Sequence, residues 1–169
     1  MKRLLPLMML IAVPAFSATR GTPAQAKAML AKAVAHYQKA GRSQALADFN
    51  RGKPPFKDRD LYVWCANADS ITQANGGFPY LVGSSTNALK DVNGRSIGKA
   101  TWEMASKKGG GSIEYRWINP MTHKTEPKVS FFQKVAADLV CGVGAYNPPR
   151  RAHPKMTSLR LNCKNGKAV

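Results

Sequence analysis

The residues best suited to chemistry lie between Glu114 and Lys128. Glu114-Tyr115-Arg116-Trp117-Ile118-Asn119-Pro120 reads as a strand of alternating large side chains running into a proline turn. A second strand leaves that turn through Glu126-Pro127-Lys128. Two cations, Arg116 and Lys128, therefore stand beside aromatic rings on neighbouring strands, an arrangement that can hold a small anion. Alternation puts Tyr115 and Trp117 on one face and Glu114 and Arg116 on the other, and the sequence leaves open which face is inward. With the rings inward, Tyr115 and Trp117 wall a pocket, the Tyr115 hydroxyl donates a hydrogen bond and Lys128 supplies a point charge. With the faces reversed, the planar Arg116 fork offers a carboxylate two parallel hydrogen bonds. Tyr62 and Trp64 add rings from an earlier strand.

The same inventory argues against catalysis. There is no Gly-x-Ser-x-Gly elbow, no His-Glu-x-x-His pair and no phosphate-cradling loop. Gly109-Gly110-Gly111-Ser112 lacks the following Lys-Ser/Thr and reads as turn glycines. His36, His123 and His153 lie far apart, and nine acidic residues leave few paired carboxylates. The three cysteines, Cys65, Cys141 and Cys163, are spaced neither for zinc nor for haem attachment. A binding protein without a cofactor or metal is expected, not an enzyme.

The elements that would position these groups follow from pattern. Met1-Lys2-Arg3 precedes an apolar run from Leu4 to Val13, then the small residues of Ala15-Phe16-Ser17-Ala18. This is the form of a secretory signal peptide over residues 1–18, since spanning a bilayer takes roughly 20 apolar residues. A periplasmic or secreted protein is expected, and its oxidising surroundings allow one disulfide among the three cysteines, with all three pairings open. The remaining length suits a single domain.

Thr22-Pro23-Ala24-Gln25 opens a helix with a capping box and a proline in its first turn. Ala26, Met29, Leu30, Ala33, Val34 and Tyr37 continue at helical spacing as a packing stripe, and Gly41 ends it. A short second helix over 44–49, capped by Ser43, is expected next, followed by a loop from Arg51 to Asp58. Strands are expected over 60–66 and 71–74, a turn at Asp91–Arg95, and a helix over 96–106 capped by Ser96. Three strands follow over 112–117, 128–135 and 139–146, joined by turns short enough for an antiparallel meander. Gly142 and Gly144 thin the last strand, so something approaches its backbone closely. The order predicts an α+β fold with helices on one face of an antiparallel sheet.

Several of these segments, in this order, resemble single Cache domains, which are PAS-like extracytoplasmic sensor modules. They are Asp58-Arg59-Asp60-Leu61-Tyr62-Val63, Leu81-Val82-Gly83, Asp91-Val92-Asn93-Gly94, Lys107-Lys108-Gly109-Gly110-Gly111, Glu114-Tyr115-Arg116-Trp117, Glu126-Pro127-Lys128 and Gly142-Val143-Gly144-Ala145-Tyr146. The resemblance implies a sensor domain over 19–147, with a long N-terminal helix packed on a five-stranded antiparallel, profilin-like sheet. It also implies a small ligand, often a short organic acid, between the other sheet face and the loops after the second strand. Tyr62, Tyr115, Arg116, Trp117 and Lys128 are the candidate ligand-binding residues. Asn75 and Phe131 join them where the family commonly carries His and Tyr, and each exchange removes a polar group able to hold a carboxylate. The strands holding Cys65 and Cys141 are neighbours in the family's fold, so that pair is possible, as is a pair with Cys163. A membrane-bound signalling partner is implied, because such domains usually sit on receptors.

Twenty-six Lys and Arg against nine Asp and Glu give a net charge of +17, and losing Lys2 and Arg3 with the leader takes it to +15. A basic tail over 148–169 carries Arg150, Arg151, Lys155, Arg160, Lys164 and Lys167. This supports a second possibility, an exported interaction protein that docks on anionic lipid, cell-wall polymer or an acidic protein. The charges alternate with no aromatic motif for nucleic acid, and no nucleic-acid partner is expected.

Overall fold

A computed structural model describes residues 20–90, 94 and 96–148. The expected signal peptide, the basic tail, Cys163 and most of the Asp91–Arg95 turn lie outside the described residues. The elements are α1 (Pro23–Ala40), α2 (Arg42–Asn50), β1 (Lys57–Asp58), β2 (Leu61–Asn67), β3 (Thr72–Asn75), α3 (Ile97–Lys108), β4 (Gly110–Ile118), β5 (Thr125–Ala136) and β6 (Leu139–Tyr146). Single 3-10 turns at Pro79–Leu81 and Thr86–Ala88 interrupt the loop between β3 and α3.

Local chemistry explains the helix ends. Thr22 accepts from the Gln25 amide while the Gln25 side chain accepts from the Thr22 amide, closing a capping box ahead of Pro23. Ser96 caps α3 through the Lys99 amide, and Gly109 closes it with φ 74, in the left-handed region that favours glycine. The second helix differs from expectation. It starts directly at Arg42 with Gly41 as an N-cap lacking a side-chain bond, and Ser43 lies inside it.

The sheet is antiparallel with strand order β1-β2-β6-β5-β4, and β3 pairs with β2 beside β1. Six strands form rather than five, because Lys57–Asp58 folds back on Leu61–Tyr62 from within the expected loop. Register sets two faces. Leu61, Val63 and Cys65 of β2, Val129 of β5, and Leu139, Cys141, Val143 and Ala145 of β6 pack under Ala26, Met29, Leu30 and Ala33 of α1 and Ala45 and Phe49 of α2. Cys65 and Cys141 face each other across β2 and β6 within this cluster, with Cα atoms 4.0 Å apart, and form a disulfide.

The other face carries Tyr62 and Trp64, Val140 and Tyr146, Phe132, and Ile113, Tyr115 and Trp117. Here the expectation of helices on one face fails. Helix α3 crosses to this second face, where Ile97 and Ala105 pack on Ile113, Phe132 and Val140. Its apolar stripe needs a partner, and α1 with α2 already occupies the opposite side.

Arg20, Gly21 and Asn147 come together at one pole of the sheet. Arg20 forms a bidentate pair with Glu126, whose Oε2 also accepts from Asn119 at 3.0 Å and Asn147 at 3.3 Å. Asp60, fully buried beside them, accepts from the Gly21 amide at 2.7 Å and from Asn119. The Arg20 guanidinium, followed by the Thr122 hydroxyl and the Asn119 amide, holds the Glu126 carboxyl down at about 2 against the ordinary 4.5. A depressed carboxylate favours the folded state above the unfolded value and loses that contribution as pH falls through 4.5 towards 2. Glu126→Gln is therefore expected to cost on the order of 2 kcal/mol at neutral pH and much less at pH 2, read by urea denaturation at both values.

Candidate functional site

The second sheet face is only partly filled. Between its aromatic floor and a roof made by the 67–89 loops and α3 lies a cavity of about 70 Å³. Tyr62, Trp64, Tyr115, Trp117 and Val140 line the floor. Ser70, Thr72 and Asn75, then Leu81, Thr86 and Leu89, then Ile97, Gly98, Thr101 and Trp102 line the sides and roof. None of these side chains carries a charge. Aromatic edges hold the floor rigid: Tyr115 and Trp117 meet at 6.1 Å and 70°, and Phe78 contacts both Tyr62 and Trp117 edge-on.

The charge sits just behind the floor. Lys128 is 1 % exposed. Its side chain runs across β6 at Gly144, where a Cβ would overlap Lys128 Cε. The amine donates to Tyr62 Oη at 2.8 Å and Tyr146 Oη at 3.3 Å, and lies 4.1 and 4.6 Å from the two ring centres. Tyr146 in turn donates to the Ile118 carbonyl at 2.6 Å. Among the described residues no carboxylate forms an ion pair with Lys128. Burial pushes its amine well below the usual 10.5, with the charge on Asp60 opposing. Burial also raises the Tyr62 phenol well above 10, helped by Tyr146, and pushes Tyr115 up to about 12 against the pull of its 2.9 Å hydrogen bond to Ser130. The two phenols therefore stay protonated, and Tyr62 presents a hydroxyl backed by an amine.

The residues singled out in the sequence separate into three groups. Tyr62, Asn75, Tyr115 and Trp117 line the cavity, and Lys128 backs it through Tyr62. Asn75 spends its carbonyl oxygen on the Gly77 and Phe78 amides, at 3.2 and 2.9 Å, and so shapes the roof loop. Arg116 and Phe131 are corrections. Arg116 shares the outer face of β4 with Glu114, is exposed, and donates to the Thr125 carbonyl at 2.8 Å. Phe131 lies on the α1 side, 4.8 Å under the Lys27 amine, because β5 alternation sends Lys128, Ser130 and Phe132 to the cavity side. A phenol at position 131 would not reach the cavity, so Phe131 removes nothing from it. Arg116→Ala should accordingly change stability by no more than about 0.5 kcal/mol, and ligand affinity by less than twofold in isothermal titration.

Three residues carry more weight here than the sequence assigned them. Gly142 and Gly144 open the floor, Gly142 for the Trp64 indole and Gly144 for Lys128. Tyr146 ties the amine to the end of β4. The thinning glycines were the available signal, but sequence alone does not show which side chains fill the space they leave.

A PAS-like sheet with α1 and α2 on one face, and a small cavity roofed by α3 and loops on the other, defines a ligand-sensing domain. The chain belongs to the single Cache domain 2 family, whose model matches residues 15–147. Among solved structures it is similar to a methyl-accepting chemotaxis protein from Vibrio parahaemolyticus RIMD 2210633. That match has a TM-score of 0.62 at 22 % identity over 73 % of this chain and 86 % of that one. It is also similar to a Cache chemosensory domain reported as the structural basis for carboxylic acid recognition, with TM-score 0.55 at 20 % identity over 72 % and 85 %. A periplasmic sensor domain of a chemotaxis protein matches at TM-score 0.54 and 19 % identity over 72 % and 87 %. At these identities the likeness is one of fold. No curated protein matches the chain. Among the described residues no helix is long and apolar enough to cross a membrane.

Proposed function

We propose that this chain is an exported single Cache protein that binds a short monocarboxylate and passes its occupancy to a separate membrane-bound signalling partner. The observation that carries the reading is Lys128, a buried amine with no carboxylate partner among the described residues, held against the phenol that lines the cavity. A buried cationic group without a counter-charge is costly to keep unless an anion completes it. A carboxylate at the Tyr62 end would accept from the phenol while Lys128 supplies the opposite charge through it. The small, uncharged, ring-walled cavity suits a ligand of a few heavy atoms. Recognition of a carboxylic acid by a Cache domain of similar fold supports the choice of ligand class.

Thermal unfolding of the purified exported chain with millimolar acetate, propionate, butyrate and their substituted forms tests this. A bound ligand raises the melting temperature in proportion to its occupancy. At a hundredfold excess over Kd the stabilisation is about 2.7 kcal/mol. A flat response to every acid would overturn the reading.

A further inference from the structure

Among the described residues, two buried side-chain polar atoms have no hydrogen-bond partner, Trp64 Nε1 and Thr101 Oγ1. Both residues line the same cavity, Trp64 from its β2 floor and Thr101 from α3. Thr101 is 4 % exposed. Three other hydroxyls around this cavity have partners: Tyr115 pairs with Ser130, Thr86 donates to the Ser70 carbonyl, and Tyr62 accepts from Lys128. Native proteins seldom leave buried donors unpaired, and each such case calls for a partner that the protein itself does not supply. The indole N–H can only donate, and the threonine hydroxyl can donate as well. Together they ask for an acceptor atom.

Their position differs from that of the amine. Tyr62 and Trp64 point to the same side of β2 two residues apart, a spacing of about 7 Å. The glycines beneath them keep the same order, Gly144 under Lys128 and Gly142 under the indole. Thr101 stands between Ile97 and Ala105 on the buried stripe of α3, and Trp64 packs against the cluster those two residues share, so the cavity has a charged end at Tyr62 and Lys128 and an uncharged donor end at Trp64 and Thr101.

We infer that Trp64 and Thr101 form a second ligand subsite that selects monocarboxylates bearing an uncharged acceptor oxygen, an oxo or hydroxyl group, over plain alkyl acids and over dicarboxylates. This rests on the proposed carboxylate site and adds its specificity. An oxo or hydroxyl oxygen completes both orphan donors without bringing a charge. A second carboxylate would meet two neutral donors and no cation, and its desolvation would go uncompensated. An alkyl chain would leave both donors unpaired, the situation in which hydrogen-bonding pockets reject analogues most strongly.

The test is isothermal titration of the full exported chain with butyrate, 2-oxobutyrate, 2-hydroxybutyrate and succinate. The oxo or the hydroxy acid should bind at least tenfold more tightly than butyrate, and succinate should bind more weakly than either. Thr101→Val and Trp64→Phe should each reduce that preference to below threefold. Thr101→Ser, which restores the hydroxyl, should keep the preference. If Trp64→Phe fails to fold, the threonine pair decides alone. Butyrate binding with no preference for either substituted acid, or a preference that survives Thr101→Val, overturns the subsite and leaves the carboxylate site standing. The orphan donors then serve only a trapped water. Failure of all four acids removes both proposals.

Discussion

Gly142→Ala is expected to destabilise the domain by about 3 kcal/mol, at the upper end of what overpacking costs in a close-packed core. A Cβ at this position would overlap the Trp64 indole and lie 2.8 Å from the Phe131 carbonyl oxygen. The carbonyl belongs to the β5 ladder and cannot retreat, since Phe131 pairs with Val143 and Phe132 with Gly142 itself. The ring would have to leave the floor instead, into the cavity it now borders. For a domain of this size the loss corresponds to a fall of about 10 °C in melting temperature. Calorimetry measures it, and a double-mutant cycle assigns it. Trp64→Val in the Gly142→Ala background should recover part of the loss, because removing the ring removes the clash. Simple additivity of the two changes would mean that the glycine serves some purpose other than seating the indole.

Lys128→Met should separate binding from stability. Methionine keeps most of the volume but removes the buried amine. Both phenols stay satisfied, since Tyr62 is 3.3 Å from the Tyr146 hydroxyl and Tyr146 still donates to the Ile118 carbonyl. Replacing a buried charged group with a hydrophobic one of similar shape is often neutral or stabilising by 1–4 kcal/mol. Affinity for a carboxylate should fall by about a hundredfold, equivalent to about 2.7 kcal/mol. A residue acting only as packing would not lose affinity while holding or gaining stability.

The pH dependence of stability adds an independent reading of the same amine. Its pKa is depressed in the folded state, so between that value and 10.5 the unfolded chain binds more protons. Wild-type stability should therefore rise with pH across this range, and the rise should vanish in Lys128→Met. The comparison belongs below pH 10. Above it, the raised phenols of Tyr62 and Tyr146 reverse the sign, because the unfolded chain loses their protons first. Denaturant curves at several values up to pH 9 measure the slope. Equal slopes in both proteins would mean that Lys128 is not held in a depressed state.

Local signals were legible wherever a few neighbouring residues decide the outcome. Thr22, Pro23 and Gln25 announced α1, Ser96 announced α3, and the meander of β4, β5 and β6 followed from strand length and short turns. The α+β class and the family could be read because they depend on order along the chain. The start of α2 and the two-residue strand β1 were not legible, since Ser43 offered a better cap than Gly41 and Lys57–Asp58 pairs only because β2 lies alongside.

The sequence by itself determined that a cluster of rings and cations would meet near one turn, on an antiparallel sheet of the single Cache family. Only the tertiary structure decided which of them face the cavity. Tyr115 and Arg116 are adjacent, as are Lys128 and Val129, and alternation sends each pair to opposite faces without saying which is inward. Packing of α1 and α2 on Val129, Cys141, Val143 and Ala145 settles that choice. It puts Arg116 in water and Phe131 under the helix, and it buries Lys128 against Tyr62 and Tyr146. The deciding energy is apolar area removed from water by long-range contacts, which a window of neighbouring residues cannot contain.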